Sequence, residues 1–323
     1  MKAIAIEQNG GPEVLRLADL PTPSPKAGEV LVKLEASGVN YIDVYFRTGL
    51  YKAPQFPLVL GQEGAGIVQS VGEGVATVKP GDRVAWVGPL GAYAEYASVP
   101  AGRVVVVPPD VSLRDAAALM LQGMTAHYLS ESTFPLRAEH VALIHAGAGG
   151  VGLLLTQLAK AKGATVITTV STDAKAALSR GAGADHTIKY TEVDFAAEAR
   201  RITGGKGVDV VYDSVGKTTF EGSLDALRPR GYLVFFGNSS GSVPPIDPQT
   251  LNAKGALFLT RPSLVHYTQT PDEIAWRSGD LFASVREGRL KVLVEREYAL
   301  ADAARAHEDL EGRKTTGKLL LLP

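Results

Sequence analysis

Residues 141–170 read VALIHAGAGGVGLLLTQLAKAKGATVITTV. Three textures follow one another in this stretch. VALIHA (Val141–Ala146) is an unbroken apolar run, predicted as a buried strand. GGVGLLLTQLAKAKG is predicted as a helix, and ATVITTV as a second buried strand. The junction holds Gly147, Gly149 and Gly152 in G-x-G-x-x-G spacing, after a strand and at the opening of a helix. In that context the first glycine permits a tight turn. The second lets the backbone approach a pyrophosphate, and the third lets helix and strand pack closely. Unpaired N–H groups and the dipole at the helix start favour phosphate charge. A dinucleotide site is therefore expected, with glycine-rich packing alone as the alternative.

The end of the second strand decides which dinucleotide. An NAD site carries an acid there for the ribose hydroxyls. Here the strand runs into Val170, Ser171 and Thr172, with Asp173 and Lys175 beyond. Asp173 falls on the first turn of the next helix, where a negative charge is commonly found. Ser171 and Lys175 offer a hydroxyl beside a cation, and Tyr190, at the end of HTIKY, can close the pocket with its phenol. Together they favour NADP(H) over NAD(H).

Downstream the alternation continues. HTIKY, GVDVVYDSVG and GYLVFFG are predicted strands, FAAEARRITGG and TFEGSLDALRP predicted helices, and GALFLTRP one more strand. Strands alternating with helices of this length imply an α/β doubly wound parallel sheet. Upstream the texture differs. The first 120 residues or so are rich in Gly and Pro around short strands such as EVLVKLEAS, AGIVQSVGEGV and DRVAWV. The tail has a polar helix near Asp272–Glu287, the strand VLVEREYAL, the helix ADAARAHEDLEG and the strand GKLLLLP. The expected division is a discontinuous β-rich domain, residues 1–123 and 265–323, with a nucleotide domain of residues 124–264 inserted in it.

The bulk composition bounds the function. The chain has 323 residues, with 33 Lys plus Arg against 34 Asp plus Glu and a net charge of −1. No global pull toward nucleic acid follows from that balance. There are no cysteines, so disulfides, thiolate metal ligands and a cysteine nucleophile are all excluded. The start MKAIAIEQNG lacks the apolar core of a signal peptide, and no apolar run reaches membrane-spanning length. A cytoplasmic protein is expected.

Several motifs carry a specific resemblance: GVNYIDVYFRTGLY (Gly38–Tyr51), LGQEGAGIV (Leu60–Val68), VKPGDRVAW, HAGAGGVG, VVYDSVG, FGNSSG (Phe236–Gly241) and LTRPSL (Leu259–Leu264). Over essentially its whole length the chain resembles medium-chain dehydrogenase/reductases, which pair a GroES-like catalytic domain with a Rossmann domain. Within them it is similar to the zinc-independent NADPH:quinone oxidoreductases of the zeta-crystallin group. Zinc-dependent relatives use a cysteine near Asn40 and a histidine where this chain has Gln62. Neutral amides are poor zinc ligands, so no metal is expected. Asp43 and Glu63 are expected in a hydrogen-bond network beneath the pocket.

The resemblance places Asn40, Tyr45 and Gln62 beside the nicotinamide. Asn40 and Gln62 can donate hydrogen bonds to a developing oxyanion, and Tyr45 can give a proton or serve as an aromatic wall. Further cofactor contacts implied by the resemblance are Thr125, Tyr128, Gly150 and Val151 at the pyrophosphate, Ser214, Phe236, Gly237, Asn238, Ser239 and Arg313. His127 and His145 are read as structural. The strand at 255–262 is expected to pair across a two-fold axis in a homodimer. Rival expectations are an alkenal, enone or enoyl-thioester reductase of the same fold, and a non-enzymatic crystallin-like or RNA-binding role.

Overall fold

The computed structural model describes residues 1–323, which divide into two compact units: residues 1–124 with 268–323, and residues 125–267.

The first unit opens with β1 (Lys2–Ile6), β2 (Arg16–Asp19), β3 (Glu29–Val39), α1 (Tyr41–Thr48), β4 (Leu58–Val59), β5 (Glu63–Val71), β6 (Arg83–Val87), β7 (Tyr96–Pro100), β8 (Val104–Val106) and α2 (Leu113–Tyr128), the last of which crosses the division. The inserted unit runs through β9 (Val141–Ile144), α3 (Gly150–Ala161), β10 (Thr165–Val170), α4 (Asp173–Gly181), β11 (His186–Lys189), α5 (Phe195–Ile202), β12 (Val208–Asp213), α6 (Phe220–Ala226), β13 (Leu227–Phe235), α7 (Pro248–Ala253) and β14 (Phe258–Thr260). The chain then returns to the first unit with α8 (Pro271–Arg286), β15 (Val294–Ala299), α9 (Ala303–Glu311) and β16 (Lys318–Leu322).

In the inserted unit all strand pairs are parallel, in the order β11-β10-β9-β12-β13-β14. The order reverses between β9 and β12, and ligands of such sheets bind at that switch, outside the carboxyl ends of the strands. The sheet is covered on both faces, so its central strands are buried along nearly their whole length; Leu143, Ile167, Val211 and Leu233 join Phe220 and Leu224 in one core.

The first unit buries alternate residues instead. Val30, Val32 and Leu34 of β3 point into one core with Val68, Val84 and Trp86, as expected of a sheet with one solvated face. Its main sheet has the order β15-β16-β3-β5-β6-β8, with β7 also paired to β3.

Several boundaries differ from the sequence-based expectation. α6 stops at Ala226, and LRP belongs to the following strand. Tyr190 falls just past β11. The expected strand over GALFLTRP shrinks to Phe258–Thr260, because Gly255 and Ala256 take positive φ, at 117° and 53°. That backbone cannot join a ladder.

Candidate functional site

The phosphate loop is shaped by what its glycines leave out. A Cβ at Gly147 would overlap the Thr168 side chain of β10 and lie 3.0 Å from Ser179 Oγ of α4. A Cβ at Gly152 would overlap the Ala146 carbonyl. At Gly149 the nearest atom is that same carbonyl, at 3.2 Å, so this position is open on its other sides. The left-handed residue of the turn is Ala146, with φ 51°, rather than the first glycine. Gly147 is thus required by crowding from β10 and α4, a cause distinct from the turn conformation expected of it.

α3 begins at Gly150 with Gly149 as its N-cap and no side-chain cap, whereas Thr172, Asp194 and Asp247 cap α4, α5 and α7 with their side chains. The first-turn N–H groups, those of Gly150 and Val151 among them, are left for an anion. This cradle fits a dinucleotide pyrophosphate.

At the tip of β10 the register pairs Val170 with Lys189, which brings Ser171 alongside Tyr190. The Tyr190 N–H donates to the Val170 carbonyl at 3.2 Å. Ser171 and Lys175 are half-buried and Tyr190 is exposed. The Lys175 N–H donates to Thr172 Oγ1 at 3.3 Å, which fixes the first turn of α4. Asp173 pairs with Lys189 at 2.9 Å, a partner that sequence reading missed; the ammonium holds the Asp173 carboxyl below its ordinary range. The acid beyond the strand tip is therefore paired with a cation, which it shares with Glu192 at 2.8 Å.

The loop after β13 closes on the loop after β12. The N–H groups of Phe236, Ser239 and Ser240 donate to the carbonyls of Asp213, Ser214 and Val215, at 2.8, 3.3 and 2.8 Å. Gly237 permits this approach, since a Cβ there would lie 2.5 Å from the Ser214 carbonyl oxygen. Asn238 lies between them. Asp213 anchors the turn by accepting from the N–H of Val215 and Gly216, from Thr219 and from Ser223. Because Ser223 donates to Asp213, its oxygen accepts from His145 Nε2 at 3.0 Å, and His145 Nδ1 accepts from Thr169 at 2.8 Å. Burial pushes the His145 pKa down. It is a neutral link holding β9, β10 and α6 together. Tyr128 is buried with its ring stacked on Tyr267 at 4.4 Å, and Thr125 and His127 are buried near it in α2.

The first unit carries a second constellation. Asn40, Asp43, Glu63, Lys318, Tyr93, His307 and Arg47 are all buried. Sheet register assembles three of them: Val39 pairs with Leu319 and Ser37 with Gly64, so Asn40 lies opposite Lys318 and Gly38 opposite Glu63. Lys318 donates to Glu63 Oε1 and, at 2.9 Å, to Asn40 Oδ1. Asn40 Nδ2 donates to Glu63 at 2.6 Å and, over a long 3.4 Å, to the Gly38 carbonyl. Gln122 adds a second donor to Asn40 Oδ1 at 3.2 Å. The Glu63 carboxylate also accepts the Leu121 N–H at 2.5 Å. Gly38 makes room for the ion pair: a Cβ there would overlap the Glu63 carboxylate and lie 2.6 Å from Lys318 Nζ.

A second branch runs behind α1. Asp43 accepts the Asn40 N–H at 2.9 Å and the Tyr93 hydroxyl at 3.0 Å. Its other oxygen has no partner, and burial pushes its pKa up to about 7. Arg47 can only donate, so His307 Nδ1 accepts from it at 3.1 Å and Nε2 donates to Tyr93 at 3.1 Å. Burial, aided by Arg47, pushes His307 down to about 3. Arg47 itself reaches the surface through Glu311 at 2.8 Å.

Both amide hydrogens of Asn40 are thus engaged inside the protein. The Gln62 amide makes no hydrogen bond to the chain, though its backbone carbonyl accepts from Gly88 at 2.8 Å. Tyr45 is buried on α1, its ring 5.2 Å from Tyr51. Arg313 is exposed, in the loop after α9 near Tyr41.

A β-rich unit with an inserted doubly wound unit and a glycine phosphate loop is the architecture of medium-chain dehydrogenase/reductases. Residues 26–109 match the family described as alcohol dehydrogenase GroES-like domain, and residues 150–270 the family described as zinc-binding dehydrogenase. The chain is 46% identical over 323 residues to the quinone oxidoreductase of Pseudomonas aeruginosa, covering 100% of this chain and 99% of the relative. It is 44% identical over 328 residues to a 2-haloacrylate reductase of a Burkholderia species, covering 99% of this chain and 98% of that one. The crystal structure of Escherichia coli quinone oxidoreductase complexed with NADPH superposes with a TM-score of 0.98 at 45% identity, covering all of both chains. The chain belongs to the quinone oxidoreductase family of medium-chain dehydrogenase/reductases.

The zinc named in the family description does not fit these residues. Asn40 and Gln62 are neutral amides, Glu63 is taken by Lys318 and Asn40, and no group of three or more His, Cys, Asp or Glu stands together to hold a metal.

Proposed function

We propose that this chain is a zinc-independent NADPH:quinone oxidoreductase, with residues 1–123 and 265–323 as its catalytic part and residues 124–264 as its cofactor part. The observation that carries this is the contrast between the two amides. Asn40 is clamped and Gln62 is uncommitted, in a setting that admits no Lewis-acid metal. Such a site suits an acceptor that is already electrophilic. The full-length identity to quinone oxidoreductases supports the same acceptor class.

NADPH, when bound, supplies the two electrons of the reduction. The Gly150 and Val151 N–H groups hold its pyrophosphate, assisted by the α3 dipole. Ser171, Lys175 and Tyr190 hold the 2′-phosphate. Thr125, Tyr128, Ser214, the 236–239 loop and Arg313 belong to the same assignment as cofactor contacts. Gln62 and Tyr45 donate hydrogen bonds to the acceptor oxygen where charge develops, and Tyr45 is the group that can pass it a proton. Asn40 aligns the start of α1.

We assign the protein to the cytoplasm and to a homodimer joined edge to edge through β14. Phe258, on that edge, is 49% exposed although its ring stacks on Tyr232 at 4.5 Å. No helix is long and apolar enough to cross a membrane. A 34 kDa particle in light scattering would refute the dimer.

The deciding experiment follows 340 nm absorbance with NADPH and with NADH against 1,4-benzoquinone, 9,10-phenanthrenequinone, an enone and an alcohol, with and without chelator. NADPH-specific, chelator-resistant quinone turnover is expected. Faster turnover of the enone would favour the second reading, reduction of an activated C=C bond, which the identity to the 2-haloacrylate reductase supports. Chelator-sensitive alcohol oxidation would overturn both.

A further inference from the structure

Lys318 has no part in the chemistry assigned above, yet it is buried to 1% exposure in the middle of the catalytic constellation. An ammonium has three protons. Here they meet three acceptors: the Glu63 carboxylate, Asn40 Oδ1 at 2.9 Å and, more weakly, the Val39 carbonyl at 3.4 Å. No proton remains for a ligand. The ammonium therefore does not act as an acid or as an oxyanion contact. It joins three strands, since β16 carries Lys318, β3 ends at Val39 next to Asn40, and β5 begins at Glu63 next to Gln62.

We propose that Lys318 is a positioning residue for the reductase assigned above: a fixed internal cation that locks the Asn40 amide and sets the β3 and β5 ends from which α1 with Tyr45, and Gln62, are presented. In this chain a lysine supplies a cation at Asn40, with every proton committed. It gives the charge that ties the strand ends together without offering an open coordination position.

The test uses the full chain in two variants, Lys318→Met and Lys318→Met/Glu63→Gln, with Glu63→Gln alone as a control. The single variant leaves Glu63 buried without its cation and is expected to lose thermal stability and at least tenfold in kcat. The double variant removes both charges and keeps an acceptor for Asn40 Nδ2. Its one amide oxygen serves Asn40 Nδ2 or the Leu121 N–H but not both, so it is expected to regain part of the thermal midpoint lost by the single variant, while kcat stays at least tenfold below wild type and the Kd for NADPH stays within threefold. The side-chain 15N resonance of Asn40 is expected to shift and broaden in the double variant beyond the change that Glu63→Gln alone produces through its direct contact with Asn40 Nδ2. Recovery of kcat together with the midpoint would make Lys318 only a charge partner of Glu63 and overturn the proposal, as would an Asn40 resonance no different from that of Glu63→Gln alone. If the wild type reduces no quinone with NADPH, the functional assignment fails, and the Asn40 resonances alone decide the role of Lys318.

Discussion

The two constellations are built from opposite materials. The phosphate loop is made of backbone and of missing side chains: glycines where a Cβ would collide, and a helix start left uncapped. The Asn40 constellation is made of side chains, several of them charged and buried, drawn from segments as far apart as Asn40 and Lys318. A backbone device tolerates changes around it but no added atoms. A buried polar network tolerates neighbouring changes in volume but no lost partner.

The largest test of that contrast is Glu63→Ala. It strands the Lys318 ammonium in the core, and breaking a buried pair in this way costs about 3–5 kcal/mol. Urea unfolding of the apo protein should show the loss, and a loss below about 1 kcal/mol would mean that water reaches the network. Next is Gly152→Ala, whose added methyl meets the Ala146 carbonyl. Overpacking of this kind costs about 1–3 kcal/mol, and NADPH affinity by fluorescence titration should fall at least about tenfold through the displaced N–H groups. Lys175→Ala touches neither fold. It should weaken NADPH about tenfold, or ~1.4 kcal/mol, and leave NADH unchanged; equal loss for both cofactors would refute the 2′-phosphate assignment.

The smallest effect at neutral pH belongs to the branch behind α1. His307, pushed down to about 3 from 6.5, contributes stability that is present above pH 6.5 and is lost as pH falls toward 3. Asp43, pushed up to about 7 from 3.8, contributes stability that is present at low pH and is lost as pH rises from 3.8 to 7. Each has a limiting slope of about 1.4 kcal/mol per pH unit, with opposite signs. Between about pH 4 and 6.5 they offset each other. His145, also held below its ordinary range by burial, adds a slope of the His307 sign in the same window. His307→Gln removes one of these two rising slopes and keeps that of Asp43, so its urea midpoints should fall relative to those of the wild type as pH rises from about 4 to 6.5.

The same contrast explains what could be read in advance. The phosphate loop is local: one strand, one turn and one helix within 30 consecutive residues, announced by periodicity and glycine spacing. The doubly wound sheet follows by repetition. Asn40, Asp43, Gln62 and Glu63 lie in two short motifs and were legible, as was the misfit with zinc. Lys318, Tyr93, His307 and Arg47 were not, because only sheet register brings β16 beside β3 and only α9 brings His307 to Tyr93. The available signal was faint: a lone lysine opening the apolar run KLLLL, and a histidine on the apolar side of ARAHEDL. The Asp173–Lys189 pair was missed for the same reason, since parallel strands place together residues that sequence keeps apart. Ala146 in the left-handed region, with glycine on the next position, could not be read from a motif that assigns turns to glycines.

The separation of Glu63 from Lys318 by 255 residues also sets an order of events during synthesis. At about 5–20 residues per second, the ribosome adds Lys318 on the order of ten to fifty seconds after Glu63. The entire inserted unit is made in that interval and has time to fold. The first unit must wait for β16, holding a carboxylate that has no cation yet. Proteolysis of ribosome-arrested chains should find the inserted unit protected before β16 emerges, and the β3–β5 region protected only after.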